Sequence, residues 1–227
     1  MSVTLLQLRT QARQRSDMET SNFVDDSELN GYINASIAEL YDLMVAAYGS
    51  EYFLAEHSFS VALSTTDYAL PADFYKLKGV DIKINNNNWF SVRPFNFNER
   101  NRNQDLTWGL LLGPSIRYRI MGDNIKFNPA PDSSYDARLW YVPKSVVLTL
   151  DADTFNDMNQ WAEYVIVDAA IKMMQKEESD VTVLMAQKTA LKRRIEEMAD
   201  NRDAGQPETV SDIYAENNEY WFWRSST

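Results

Sequence analysis

The chain reads as an α+β protein. The expected plan is an antiparallel helical bundle from both chain ends, an inserted antiparallel β block and an extended C-terminal arm. Three observations predict it. Apolar residues recur at helical spacing over residues 4–48 and again from Thr154 to about residue 201. Between those stretches the apolar period drops to two, in short runs separated by turn residues. Beyond Asp203 neither period holds. The parts expected are 1–56 (N-terminal helices), 57–150 (β block with a long loop), 151–204 (helical hairpin) and 205–227 (arm).

Thr4 followed by Gln7 is a capping box, with Val3 and Leu8 as its hydrophobic staple. Leu5, Leu8 and Ala12 then share a face, with Arg9, Arg13 and Arg15 mostly off it, and the helix is expected to fade near Ser16. Asp25 with Glu28 opens a second helix, whose stripe is Leu29, Tyr32, Ile33, Ile37, Leu40, Tyr41, Met44 and Tyr48. Gly49 fits the position just past its end. About six short strands follow, mostly as antiparallel hairpins. Phe59, Val61 and Leu63 alternate, and a turn surrounds Pro71. Residues 78–93 read as a hairpin around Asn85–Asn88. Ile116, Tyr118 and Ile120 alternate against Arg117 and Arg119, "MGDN" turns the chain into Ile125 and Phe127, and "ARLWYV" gives a last strand. Thr154 reads as the cap of a third helix over 155–178, with Met158, Trp161, Val165, Ala169 and Met173 on one face. "EESD" breaks it. Asp180 caps a fourth helix over 181–201 that carries Leu184, Leu191, Ile195 and Met198; one long bent helix over both stretches is the alternative.

Bulk composition narrows the class. The chain has 227 residues, 44% hydrophobic and 24% charged, which suits one sizeable core. No cysteine is present, so disulfides and thiolate metal sites are excluded, and assembly in a reducing cytoplasm is expected. No run approaches a membrane span, and no secretory leader is expected from "MSVTLLQLRTQ". The net charge of −11 opposes DNA binding by the whole surface.

Nothing in the residues argues for catalysis, a metal or a cofactor. His57 is the lone histidine, with no second base to make a nucleophilic set, and reads as a structural polar residue. "GLLLGPS" (109–115) lacks the lysine ending of a phosphate loop. Asp151, Asp153, Asn156 and Asp157 lack the glycine and distal glutamate of a calcium loop and read as acids at a helix N-terminus. "KRRIEEMADNR" reads as a solvated helix face. Arg93, Arg100 and Arg102 read as surface loop.

The chemistry left is association, and the terminal "NNEYWFWRSST" is its clearest sign. If the segment is extended, Tyr220 and Phe222 face one way and Trp221 and Trp223 the other, which suits insertion between two bodies. Ordering such a segment costs about 1–2 kcal/mol per residue, so one arm binds weakly and a ring of arms binds by avidity. The alternative is that the arm folds back on its own domain.

"LLQLRTQARQRSDM…FVDDSELNGYINASIAELYDLM", "FNPAP…YDARLWYVP…LTLDADTFNDMNQWAEYVIVDAAIKMMQKEESD" and "LKRRIEEMADNRDAGQPETVSDI" resemble the head-to-tail adaptor (neck or connector) proteins of short-tailed bacteriophages. The resemblance implies a structural, non-enzymatic virion protein. It would form a dodecameric ring under the portal, extend the DNA channel and give the tail a platform. The partners implied are the portal, neighbouring adaptor subunits, a tail or nozzle protein below and genome DNA passing through without specific binding. Location would be the virion neck, after assembly in the host cytoplasm. Ile213, Tyr214, Tyr220, Trp221, Phe222, Trp223 and Arg224 are expected to form the arm's portal- or neighbour-binding contacts. A tail-side completion or nozzle-associated protein contacting the adaptor is the alternative.

Overall fold

A computed structural model describes residues 2–20, 23–49, 51–85, 88–101, 116–156 and 161–200. After strand β1 (Ser2–Thr4), helix α1 (Leu5–Arg15) opens on the expected capping box. Gln7 N donates to Thr4 Oγ1 at 3.2 Å, and Thr4 N donates to Gln7 Oε1 at 3.0 Å. Helix α2 (Asp26–Ala47) starts with Glu28 N donating to Asp25 Oδ1 at 2.7 Å and ends at Tyr48, where Gly49 supplies the left-handed residue at φ +79°.

Seven strands follow: β2 (Ala55–Val61), β3 (Asp67–Ala69), β4 (Phe74–Asn85), β5 (Asn88–Pro94), β6 (Arg117–Met121), β7 (Asn124–Asn128) and β8 (Tyr135–Pro143). They make one sheet in the order β2-β8-β4-β5-β6-β7-β3. The expected hairpins are β4–β5 and β6–β7. The block is mixed rather than wholly antiparallel, because β5 and β6 run parallel with Arg93 opposite Arg117 and Pro94 opposite Tyr118. The long connection 95–116 permits this, since a parallel neighbour needs a crossover that a tight turn cannot make. β3 is too short to show a period of its own and is recruited by β7.

The third helix begins later than Thr154. Residues Thr154–Asn156 form strand β9, antiparallel to β1 with Val3 opposite Phe155, and helix α3 (Ala162–Lys176) starts after Trp161. Phe155 is buried in the helical core, and that tertiary gain outweighs the cap signal of Thr154. Asp157 and Met158 lie outside the described residues. Helix α4 (Thr182–Asp200) makes the expected fresh start, with Thr182 N donating to Asp180 Oδ1 at 2.9 Å. Met198 does not continue its buried stripe and is 53% exposed.

The four helices share a core that includes Leu8, Ile33, Ile37, Leu40, Val165, Ala169, Met173 and Ile195. The sheet packs a second core around Val80, Ile82, Ile125, Phe127 and Leu139. Tyr41 and Val45 of α2 join the two by packing on Val142, with Phe53 beside them. There the Tyr41 hydroxyl donates to Pro143 O at 2.6 Å, and burial, then Tyr75, Asp42 and Asp73, pushes its pKa up to about 12.

Helix α3 is buried almost all round, yet it carries Asp168. That carboxylate accepts from Ser36 Oγ of α2 at 2.6 Å, Lys172 Nζ at 2.6 Å and Lys188 Nζ of α4 at 2.8 Å. Lys188 also reaches Glu39 at 2.6 Å, and Glu39 accepts from the Tyr164 hydroxyl at 2.8 Å. Burial acts to raise the Asp168 pKa, but the bonds from Lys172, Lys188 and Ser36 together outweigh it and hold it below the usual aspartate range. Breaking such a network strands buried charge. Asp168→Asn is expected to lower stability by about 3 kcal/mol at neutral pH, measured by urea unfolding. Because the folded pKa is depressed, this contribution is full above the ordinary aspartate value of 3.8 and fades as pH falls through the lower folded value. The gap between wild type and variant should therefore close in acid. A gap below about 0.5 kcal/mol at pH 7 contradicts the role.

Candidate interaction surfaces

Two surfaces stand out, one apolar and one cationic. The apolar one is built by the segment that carries two of the acids considered as ligands. Asp153 Oδ2 accepts from Thr149 N at 2.7 Å and Leu150 N at 2.8 Å, which folds residues 149–153 into a tight loop. Bonds from the Leu150 and Thr149 amides hold the Asp153 carboxyl below its usual range. The loop then turns its carbonyls on α1: Leu5 N donates to Asp153 O at 2.9 Å and Leu6 N to Asp151 O at 3.3 Å. These amides are the first-turn donors that a helix cannot satisfy internally. Asp151 itself pairs with Arg9, which also meets Asp26 at 3.1 Å. Arg9 was expected mostly off the packed face, yet it is 8% exposed and sits between these two acids. Among the described residues no cluster of three or more metal-ligating side chains is found.

Upstream, the segment is pinned to α2. Asn34 Nδ2 donates to Leu148 O at 2.9 Å, and Leu148 N donates to Asn34 Oδ1 at 2.8 Å. Leu148 is thereby buried, while Val146, Val147 and Leu150 stay 52%, 69% and 68% exposed. Leu6, at the start of α1 where this loop docks, is 51% exposed. A fixed backbone presenting apolar side chains to solvent has little ordering cost left when a partner covers them.

The cationic surface is the face of the sheet turned away from its core. Asp81 on β4 anchors its middle, accepting from Ser91 Oγ at 2.7 Å, Arg138 Nε at 2.9 Å and Trp140 Nε1 at 2.8 Å. Burial acts to raise the Asp81 pKa, and these three bonds together lower it below the usual range. Arg138 lies over the Trp89 ring at 4.3 Å. Register then places Arg93 beside Arg117, and Arg119 beside Lys126, on the same side of β5, β6 and β7. Phe97, on a 3-10 turn (Phe97–Glu99), is stacked by Arg100 at 4.7 Å and Arg119 at 5.8 Å. A groove of about 470 Å³ opens there, lined in part by Phe95, Phe97, Arg100, Met121 and Lys126.

Of the residues singled out in sequence, Arg93 and Arg100 fall on this face, and Arg102 and 109–115 lie outside the described residues. His57 lies on β2 against the Phe59 ring at 6.0 Å. The arm residues Ile213, Tyr214, Tyr220, Trp221, Phe222, Trp223 and Arg224 also lie outside the described residues. Asp168 and Asp81 were missed. An acid inside the unbroken apolar run "YVIVDAAI", and another alternating with Val80 and Ile82, are the signals that mark them.

Among the described residues the features that stand out are rigid surfaces rather than a catalytic constellation. The chain matches the family model described as SU10 adaptor protein over residues 3–211. It belongs to the SU10 adaptor protein family, consistent with a phage head-to-tail adaptor, and membership implies a structural rather than an enzymatic role. No curated protein matches it.

Asp81→Ala leaves Arg138 and Trp140 without their acceptor and is expected to cost about 2 kcal/mol in urea unfolding. Loss of the Trp89 and Trp140 near-ultraviolet signal should accompany it; an unchanged midpoint and spectrum contradict the anchoring role.

Proposed function

We propose that the chain is a structural virion protein of the phage neck. It forms a ring under the portal, twelvefold in the manner the resemblance implies, extends the DNA channel and offers the tail its platform. Portal above, tail or nozzle protein below and neighbouring copies at the sides are its partners, and DNA passes through without specific binding. In this reading 1–56 and 151–204 supply the helical body, 57–150 the β block, and 205–227 an anchoring arm. Within the arm, Ile213, Tyr214, Tyr220, Trp221, Phe222, Trp223 and Arg224 make the portal- or neighbour-binding contacts. Assembly takes place in the host cytoplasm.

Family membership over 3–211 carries the reading. The pinned segment with Val146, Val147 and Leu150 supports it independently, since apolar groups held at the surface need a protein partner.

Two experiments test it. Deleting residues 215–227 is expected to leave helical circular dichroism unchanged and to abolish retention on immobilised portal protein; full retention by the truncated chain contradicts an anchoring arm. Val147→Asp with Leu150→Asp is expected to shift stability by no more than about 0.5 kcal/mol, because both side chains are exposed. Native mass spectrometry with portal should then show loss of the ring assembly. Normal rings from this variant remove the apolar segment from the interface.

A further inference from the structure

Arg93, Arg117, Arg119 and Lys126 are an odd choice for a chain of net charge −11. Arg93 opposes Arg117, and Arg119 opposes Lys126, so two like-charge pairs stand side by side in neighbouring strands. Like charges directly opposite destabilise a sheet. Among the described residues, Asp67 at 3.5 Å from Lys126 is the one carboxylate paired with any of the four. Next to them the Phe97 ring is 50% exposed, although Arg100 and Arg119 stack on it. The adjoining groove of about 470 Å³ mixes apolar walls (Phe95, Met121, Ala130) with the cations Arg100 and Lys126. Such a face fits a ligand that is acidic and aromatic together.

The C-terminal segment of the chain has that chemistry. Residues 203–223 contain Asp203, Glu208, Asp212, Glu216 and Glu219, no lysine or arginine, and the aromatics Tyr214, Tyr220, Trp221, Phe222 and Trp223. We propose that in the free protein this segment docks on the outer face of β5, β6 and β7 of its own chain, its carboxylates toward Arg93, Arg117, Arg119 and Lys126 and an aromatic side chain in the groove beside Phe97.

Reach allows it. From Asp200 to Trp221 an extended chain spans about 70 Å, more than the width of a domain of this size. Attachment in the same chain supplies an effective concentration in the millimolar range for short linkers, and mutual repulsion between copies at −11 disfavours the same contact between two molecules. The inference rests on the reading of 205–227 as an anchoring arm: docking would park its aromatics until a partner competes for them. DNA phosphates are the competing occupant for a cationic face, but the apolar walls of the groove and the exposed Phe97 favour an aromatic peptide.

The test uses the full chain, alone, with a photoreactive benzophenone side chain in place of Trp221. Light is expected to join position 221 to residues 93–101 or 117–130 within one chain, read as unchanged molecular mass and mapped by peptide mass spectrometry. The yield should fall about tenfold in about 0.5 M salt, where exposed charges are screened. It should fall likewise in the Arg117→Glu, Lys126→Glu double variant, whose folding is checked by circular dichroism. Cross-links to the helices, cross-links between two chains, or a yield indifferent to salt each overturn the proposal. So does tight binding of a fluorescent DNA duplex that the double variant abolishes while position 221 joins nothing on this face. The measurement needs no portal, so loss of the cross-link leaves the portal-binding reading standing, and failed portal retention leaves the cross-link standing.

Discussion

The Asp168 carboxylate is the point on which the helical body depends. It is 2% exposed, on a helix otherwise packed on nearly every side, and three donors from three helices converge on it. Apolar packing alone tolerates sliding between helices, since any methyl fits against another at modest cost. A buried carboxylate does not: it needs Ser36 at one turn of α2 and Lys188 at one turn of α4, or its desolvation goes uncompensated. α4 leans on this bond more than its neighbours do, because among its described side chains only Leu184 and Ile195 are buried. Glu39 and Tyr164 extend the same lock to a second acid and hold Lys188 from the other side.

From that body outward, each surface is fixed by a polar device rather than by bulk. Asn34 clamps Leu148, Asp153 folds the next turn, and the turn caps α1, so Val146, Val147 and Leu150 are displayed from a backbone with little freedom. On the sheet, Asp81 gathers Ser91, Arg138 and Trp140, and the row of cations begins beside it. Tyr41 and Tyr75 tie body to sheet through Pro143 and Asp42. A protein that joins two larger bodies profits from this, because ordering entropy settled on folding is not charged again on binding.

Helices α1 and α2 were legible in sequence nearly to the residue, since the capping box of α1 and the Asp25 cap of α2 are local signals. The β4–β5 and β6–β7 hairpins were legible for the same reason. What escaped was non-local. β9 has three residues, no period to speak of and a partner at the far end of the chain. The parallel β5–β6 pair depends on where a long connection returns. Arg9 looked like a solvent-facing residue because its acids, Asp26 and Asp151, come from two other elements. Arg117 and Arg119 alternate with apolar residues as any half-buried strand does, and only register reveals that Arg93 and Lys126 stand beside them. In sequence Asp151 and Asp153 read as acids at the start of a helix. They do serve a helix N-terminus, but it is that of α1, reached through backbone carbonyls.

The most direct measurement is a cryo-electron microscopy reconstruction of the phage neck. The expected result is this chain in a ring between portal and tail, with Val146, Val147 and Leu150 covered by a neighbouring chain and the aromatics of 220–223 seated on a partner. Finding the chain outside the neck, or in the neck with those apolar side chains facing solvent, contradicts the adaptor role assigned to these surfaces.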